Sequence, residues 1–456
     1  MSEIRRIKNK MGIMPVNRLL VTMALPMMLS MLIQALYNIV DSFFVAQISE
    51  NAFAAVSLAF PVQLVIIGIN TGTGVGINAL LSKRLGEKNF EDANKVAANA
   101  IFLAFSGYLC LLIFGIFAVR FYFETQTDNQ AIVQLGVDYL SVMTMFSFGV
   151  FFLITFEKLL QATGRTVHSM ACQLLGALMN IALDPIMIFG KLGFPKLGVK
   201  GAAIATVAAQ ITAASLALFI NLKFNNDIKL KLKNLKPNGK IIKRIYMVGA
   251  PSILMDFTMS SMVYLLNHIL IGFSETATNV LGAYYKLQSF IYMPVFGLNN
   301  GLVPIIGYNY GAQNKERIIK AIKLAVTYAT SIMALGLIAL MLFAGNLLLI
   351  FNASGYMLEI GVKALRTISL GYVMAGFNIV ALSVCQAFGY GVLSMSASFV
   401  RQILVLLPVA WALASSFGLI AVWWAFPIAE GTTFILCIIF LKLIYTKKIG
   451  TIKAGE

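Results

Sequence analysis

A stripe of polar side chains runs along the first long apolar segment of the chain. Ser30, Gln34, Asn38 and Asp41 are separated by four, four and three residues, and this spacing places them on one face of an α-helix. An ionisable side chain in hydrocarbon is costly unless it faces a cavity or a partner. The stripe therefore predicts that Asp41 points into a polar site inside the protein.

Two later apolar segments carry polar side chains at the same kind of spacing. The fifth segment has Gln173, Asn180 and Asp184, and the sixth has Thr206 and Gln210, four residues apart. Each set again shares one helical face. The sequence therefore predicts that a second acid, Asp184, also faces the polar interior.

The chemistry available to these groups is cation binding. Two carboxylates in a poorly hydrated site repel each other when both are ionised, so either one of Asp41 and Asp184 keeps its proton or the pair binds a cation. Asn180 and Thr206 add hard oxygen ligands that suit Na⁺, and they can equally hydrogen-bond a protonated acid. We therefore predict a site for H⁺ or Na⁺ at these four residues, with no other metal and no cofactor.

The elements that must position this site are membrane-spanning helices. Hydrophobic residues make up 59% of the 456 residues and charged residues 12%, and the mean hydropathy of +0.85 is far above that of soluble chains. Runs of about 20 apolar residues are long enough to cross a bilayer core of roughly 30 Å. We predict an all-α membrane protein with twelve transmembrane helices. These are expected near 17–46, 52–82, 93–120, 131–160, 166–190, 199–222, 242–272, 277–308, 318–350, 360–387, 392–416 and 418–445.

The chain repeats itself at an offset of 225 residues. Pro26 and Gln161 fall on Pro251 and Gln386, and the match continues to the end of the apolar region after a slip of five residues. Each copy contains six predicted helices, and an even number of spans gives both copies the same topology. We therefore predict two six-helix lobes related by a parallel pseudo-two-fold repeat, with its axis along the membrane normal.

The distribution of basic residues predicts the orientation and the domain boundaries. Most of the 35 Lys and Arg residues fall on one side of the membrane when both termini are cytoplasmic. We predict an N-terminal lobe at 1–222, a basic cytoplasmic linker at 223–240, and a C-terminal lobe with a short cytoplasmic tail at 241–456. The net charge of +17 then reflects short loops beside spans, which does not favour a nucleic-acid partner.

This topology places the candidate ligands at one depth. Asp41 lies about 24 residues, or roughly 36 Å, from the cytoplasmic start of its helix, and Asp184 lies about 18 residues, or roughly 27 Å, along a parallel one. Thr206 and Tyr139 lie about 8 residues, or roughly 12 Å, into helices that run inward from outside. All four are expected in the outer half of the first lobe.

Two prolines lie within these helices. Pro26 and Pro185 each lack a backbone donor, and Pro185 directly follows Asp184. We therefore predict helix bends at both prolines that respond to the charge state of the nearby acids.

Other ionisable side chains in the apolar segments have competing interpretations. Four side chains are interpreted as snorkelling towards the membrane surface: Glu157, Lys158, Arg401 and Lys442. For four deeper side chains of the second lobe, a substrate cavity and a buried network both stay open: Asp256, His268, Lys286 and Glu430.

Several motifs together resemble the multidrug and toxic compound extrusion (MATE) family over nearly the whole chain. They are Ala24-Leu25-Pro26, Asn38-Ile39-Val40-Asp41, Gly249-Ala250-Pro251, the run from Gly301 to Ala312, Gln161-Ala162-Thr163-Gly164-Arg165, and Gly198 to Thr206. The resemblance implies an antiporter of a bacterial cytoplasmic membrane that exports amphipathic, often cationic organic compounds against inward H⁺ or Na⁺ by alternating access. We expect it to act in the lipid bilayer as a monomer.

The resemblance also implies roles for individual residues. One branch of the family has a cation-coupling network in the first lobe that matches Gln34, Asp41, Tyr139, Asn180, Asp184 and Thr206. Another branch has acids in the seventh and tenth helices, where this chain offers Asp256 and Asn378, so a second-lobe ion site of that type is not expected. The candidates for a substrate cavity are Asp256, Asn267, Lys286, Gln288 and Asn378.

Three other classes of membrane protein compete with this interpretation. A flippase or exporter of a lipid-linked or other dedicated metabolite shares the helical architecture and is the main alternative. A membrane enzyme of the prenyltransferase kind needs clustered acidic motifs near the cytoplasmic surface to bind a metal-diphosphate, and the sequence has no such cluster. A channel is disfavoured by the two-lobe duplication, so we predict a transporter and no enzymatic activity.

Overall fold

A computed structural model describes residues 9–230, 236–351, 353 and 355–452. The predicted linker therefore lies partly outside the described residues, as does the end of the predicted tail. Within the first long helix, the side chains of residues 38, 39, 42 and 46 are also outside the description.

The first half of the chain forms nine helices within the described residues. They are α1 Lys10–Ile13, α2 Val16–Ala46, α3 Glu50–Gly86, α4 Phe90–Phe117, α5 Val119–Glu124, α6 Gln130–Met145, α7 Phe148–Ala162, α8 Thr166–Phe189 and α9 Gly198–Lys223. The boundaries of the long helices lie within a few residues of those predicted, because long apolar runs bounded by polar turns are strong helix signals.

The second half forms nine more α-helices and two short π-helical segments in its described part. The α-helices are α10 Gly239–Ile271, α11 Glu275–Gly311, α12 Lys315–Leu349, α13 Gly355–Ser369, α14 Tyr372–Ala387, α15 Gly391–Phe399, α16 Leu407–Phe417, α17 Leu419–Val422 and α18 Ala425–Ile444. The π-helical segments are Val400–Leu406 and Tyr445–Ile449. No strand occurs in the described ranges, which confirms the all-α fold class.

Ten spans of the described chain are long and apolar enough to cross a membrane, and two bent helix pairs raise the number to twelve. The pairs are α6 with α7, bent by 43°, and α13 with α14, bent by 49°. The sequence predicted one helix at each place, near 131–160 and 360–387, and the structure divides each of them into two. The residues at the breaks are Phe146-Ser147 and Leu370-Gly371, and because neither pair contains proline, the apolar pattern gave no sign of the interruption.

Local structure repeats at the predicted offset of 225 residues. Ser49 caps the start of α3 and Ser274 caps the start of α11, each accepting a hydrogen bond from the backbone N–H three residues further on. Gly164 follows α7 with φ of 84°, and Gly389 follows α14 with φ of 85°. These glycines occupy the left-handed region that ends helices, so the two copies share caps and turns as well as residues.

The described residues divide into two compact units. Residues 9 and 29–245 form the first unit, and residues 10–28 and 246–452 form the second. Helix α2 therefore begins in the second unit and ends in the first. The predicted lobes follow chain order and place all of α2 in the N-terminal lobe. These lobe boundaries stay predictions.

Close backbone contact holds the first half of α2 in the second unit. A Cβ on Gly301 of α11 would lie 2.9 Å from the Ala24 Cα, and a Cβ on Gly297 would lie 2.5 Å from the Met28 Cα. Glycine at both positions lets the two helices approach backbone to backbone.

Candidate functional site

Asp184 lies at the centre of a buried polar cluster in the first unit. It is on α8 with 0% of its surface exposed, and Asn180, one helical turn earlier, is 3% exposed. The Asn180 Nδ2 donates to Asp184 Oδ1 at 3.3 Å and to Thr206 Oγ1 on α9 at 3.2 Å. The Thr206 hydroxyl in turn donates to the Ala202 carbonyl at 3.0 Å. The predicted grouping of Asn180, Asp184 and Thr206 is thus present in the structure.

Asp41 belongs to the same cluster through electrostatic interaction. Its carboxyl group interacts with that of Asp184 and with the Tyr139 hydroxyl. Three buried oxygens of the cluster have no hydrogen-bond partner among the described residues: Asp41 Oδ1, Asn180 Oδ1 and Asp184 Oδ2. Buried polar atoms are normally paired. The cluster therefore has acceptor oxygens that a proton or a metal cation could satisfy.

Tyr139 is hydrogen-bonded to a residue that the sequence analysis did not name as a site residue. Tyr139 is 3% exposed, and the Gln63 Nε2 on α3 donates to its hydroxyl oxygen at 2.8 Å. Tyr37 also lies close to the site, interacting electrostatically with Asp41. Gln63 matches Gln288 at the repeat offset, so the repeat could have indicated Gln63. Tyr37 lies four residues before Asp41, and this spacing, which places both on one helical face, could have indicated Tyr37.

Gln34 lies at the edge of the predicted network. Its Oε1 accepts a long hydrogen bond of 3.4 Å from the Gln173 Nε2, so these two residues of the predicted stripes do meet. The neighbouring stripe residue Ser30 is buried, and its hydroxyl has no partner in the described part of the chain. The Asn38 side chain lies outside the described residues. Gln34 therefore remains a predicted member of the cation site.

The five candidates for a substrate cavity lie in different surroundings of the second unit. Asp256 and Lys286 are exposed, and the Lys286 Nζ lies 5.7 Å from the centre of the Phe351 ring. Asn267 is half-buried. The remaining two contact other polar residues: Gln288 hydrogen-bonds Tyr292, and Asn378 donates to the Glu430 carbonyl at 3.0 Å and to Glu430 Oε2 at 2.8 Å.

The snorkelling prediction was wrong for Glu157, Lys158 and Arg401. Glu157 is 6% exposed and Lys158 is 8% exposed, and the Lys158 Nζ donates to the Gln161 Oε1 at 3.1 Å. Arg401 pairs with Glu430, with 3.0 Å between Nη1 and Oε1. A partner inside the protein replaces water for each of the two basic groups, so neither has to reach the membrane surface.

Both predicted bend positions lie inside continuous helices. Pro26 is within α2, three residues before the chain passes from the second unit to the first. Pro185 is within α8, directly after Asp184. A bend that responds to charge at either proline stays a prediction.

An all-helical chain with an internal repeat, ten to twelve candidate spans and a buried polar cluster defines a multi-pass membrane transporter. The MatE family model matches residues 26–186 and again residues 251–412. The two matches begin at the predicted repeat offset and together cover most of the chain. The protein therefore belongs to the MatE family of multidrug transporters, and the family resemblance of the sequence motifs is confirmed.

Known relatives match along nearly the full length. The multidrug export protein MepA of Staphylococcus aureus (strain MRSA252) is 27% identical over 432 residues, which are 94% of this chain and 93% of MepA. The FAD transporter of Shewanella oneidensis is 26% identical over 408 residues, covering 88% of this chain and 90% of that protein. A solved structure of a multidrug resistance MATE family transporter in its outward-facing conformation has a TM-score of 0.90 at 26% identity, covering 97% of this chain and 99% of that one.

Proposed function

We propose that the protein is an antiporter that exports amphipathic, often cationic organic compounds in exchange for H⁺ or Na⁺. The observation that carries this proposal is the set of three buried oxygens, on Asp41, Asn180 and Asp184, that have no hydrogen-bond partner among the described residues. Oxygen ligands of this kind suit a hard monovalent cation, and a proton on either carboxyl group satisfies the same atoms. The coupling site consists of these three residues with Thr206, supported by Gln34 and Tyr139.

Cation binding changes the charge of the cluster and thereby the preferred state of the transporter. With no cation bound, the two carboxylates repel each other in a poorly hydrated site. A bound cation neutralises this repulsion and allows α2 to bend near Pro26, which favours release of the organic substrate to the outside. Each ligand shifts the balance of inward-open and outward-open states only through its different affinity for the two states.

The same proposal includes the location and partners of the protein. The basic residues between spans support cytoplasmic termini, and MepA is a bacterial multidrug export protein. The protein is therefore proposed to lie in a bacterial cytoplasmic membrane as a monomer. Its partners are small organic molecules and the lipid bilayer.

The test is efflux of a fluorescent cationic dye from proteoliposomes, with H⁺ and Na⁺ gradients imposed separately. Wild type is expected to move dye under one gradient, and Asp41→Asn and Asp184→Asn are expected to lose this gradient-driven efflux. Asp138→Asn is the matched control, because Asp138 lies beside Tyr139 but accepts from the exposed Gln134 at 3.2 Å instead of joining the cluster. Wild-type efflux in both cluster variants, with insertion verified, would disprove the coupling site.

A dedicated metabolite exporter is the second candidate function. One specific observation favours it: a relative that is 26% identical over 88% of this chain is named an FAD transporter. Dye that fails to move under either gradient, combined with gradient-driven movement of a flavin nucleotide, would favour this candidate over multidrug export.

A further inference from the structure

A half-buried ion pair lies in the second unit. Arg401, from the π-helical segment Val400–Leu406, pairs with Glu430 on α18 at 3.0 Å. Asn378 on α14 donates to the other carboxylate oxygen of Glu430 at 2.8 Å. Three separate elements thus meet at a single carboxylate.

Fewer hydrogen bonds connect this ion pair than an Arg–carboxylate pair can form. Within the described residues, a single hydrogen bond from Nη1 to Oε1 connects the two groups, whereas the guanidinium fork can bind a carboxylate through two parallel bonds. The Arg401 and Glu430 side chains keep 18% and 15% of their surface accessible. An ion pair that stays partly accessible to solvent adds little to stability. Fold stability alone therefore does not explain why this pair is present.

Two tyrosines interact electrostatically with the pair, and a third packs against one of them. Tyr292 interacts electrostatically with both Glu430 and Arg401, and Tyr285 interacts with Arg401. The rings of Tyr292 and Tyr372 meet edge to face, with 5.4 Å between their centres. Tyrosine rings near a carboxylate are surroundings in which a planar organic cation can bind. Arg401 itself carries such a cation, so it occupies the position that a ligand of that class would take.

The site also has an unused acceptor. Asn378 is 0% exposed, and its Oδ1 has no hydrogen-bond partner among the described residues. Its Nδ2 already binds Glu430, so the amide orientation is fixed with the oxygen free to accept. A ligand with more than one N–H group could bind Glu430 and Asn378 together.

The elements that hold the pair are irregular in the way that functional sites often are. Arg401 lies on a π-helical segment, and such segments are frequent at functional sites. Glu430 lies against Gly371, at the break between α13 and α14, where an added Cβ would be 3.3 Å from the Glu430 Cγ. Arg401 therefore lies outside the regular α-helices, whereas Glu430 lies within α18.

We propose that Glu430, Asn378 and the nearby tyrosines form a binding site for planar organic cations that carry N–H donors, such as amidines, and that Arg401 is a resident cation that the ligand displaces. The proposal rests on the proposed export of organic cations and specifies where one class of them binds. It predicts opposite effects for the two members of the ion pair. Replacing Arg401 removes the group that competes with the ligand for Glu430. Replacing Glu430 by a neutral residue removes the carboxylate that binds the ligand.

The experiment is a fluorescence titration of the purified protein in detergent with the aromatic diamidine DAPI. Arg401→Met is expected to bind DAPI about fivefold or more tightly than wild type, because the site no longer has to be vacated. Glu430→Gln is expected to bind about tenfold more weakly, because it loses a buried charged contact. If Arg401→Met does not fold, Arg401→Gln serves instead, since its amide can still donate to Glu430.

Two controls separate the proposed site from a structural ion pair. The double variant Arg401→Met with Glu430→Gln removes both charges, and it is expected to fold and to bind DAPI as weakly as Glu430→Gln alone. Tetraphenylphosphonium, which has no N–H donor, is expected to gain less than twofold affinity in Arg401→Met. Equal weakening of DAPI binding by both single variants, or no change in either, would overturn the proposal.

The titration also distinguishes this proposal from the coupling proposal, because it uses no ion gradient. Asp41→Asn is expected to leave the effect of Arg401→Met on DAPI binding intact. Opposite effects of the Arg401 and Glu430 variants would therefore support the ligand site even if dye efflux proved to be independent of H⁺ and Na⁺.

Discussion

Asn180 is connected to Asp184 by a 3.3 Å hydrogen bond between residues one turn apart on the same helix. The same amide nitrogen donates to Thr206 on the neighbouring helix, so one side chain fixes the acid and the second helix together. Its own oxygen, like one oxygen of Asp184, is left without a donor in the described part of the chain. Asn180 therefore orients the cluster and also contributes an acceptor to it.

Asn180→Leu tests this dual role. The change removes a hydrogen bond to a charged group, worth about 1.5–3 kcal/mol, and one oxygen ligand. We expect the concentration of coupling cation needed for half-maximal efflux to rise at least about tenfold. Efflux rates measured over a range of external H⁺ or Na⁺ would reveal the shift. Thr212→Val is the control, since Thr212 is on α9 like Thr206 but donates only to the Ala208 carbonyl within its own helix; an equal shift there would contradict the prediction.

Tyr139→Phe tests whether the buried hydroxyl supports the cation site. The variant keeps the ring packed but leaves the Gln63 Nε2 without the acceptor it now has at 2.8 Å. We expect a several-fold loss of apparent cation affinity, and Gln63→Leu in the same background should add little, because the two residues act as a pair. The measurement is again efflux against cation concentration. Additive losses in the double variant would show that the two residues act separately.

Gly297→Ala tests the close contact of α2 with α11. A Cβ at this position would lie 2.5 Å from backbone atoms of Met28, and overpacking of this kind costs about 1–3 kcal/mol. We expect a lower melting temperature in detergent. Gly282→Ala on the same helix is the matched control, because an added Cβ there meets nothing within 4 Å and alanine favours the helix. If Gly297→Ala and Gly282→Ala had equal melting temperatures, α2 and α11 would be able to move apart with no loss of stability.

The repeated caps provide a test of equivalence between the two copies. Ser49→Ala and Ser274→Ala each remove the acceptor of one backbone N–H at the start of a long helix. Each variant is expected to lose about 1 kcal/mol of folding stability. Ser57→Ala should lose less, because its hydroxyl donates to a carbonyl of its own helix and caps no free N–H. Chemical denaturation in mixed micelles would measure all three, and a much larger loss at only one cap would show that the copies are not energetically equivalent.

The sequence alone determined the features that depend on neighbouring residues. Helix boundaries, the 225-residue repeat and the polar stripes follow from periodicity and from the length of apolar runs. The grouping of Asn180 with Asp184 follows from a spacing of four. Thr206 and Tyr139 were expected at the same depth of the membrane, and the structure brings both into interaction with this cluster.

Only the tertiary structure decided which distant residues become partners. Gln63 with Tyr139 and Arg401 with Glu430 are separated by 76 and 29 positions, and no local pattern encodes such a choice. The division of α2 between two units is likewise set by packing against α11, where glycine permits close contact. Periodicity tells which face of a helix is polar, but the partner of each polar group depends on how separate helices pack, since a buried charge is stabilised by whichever group packing brings to it.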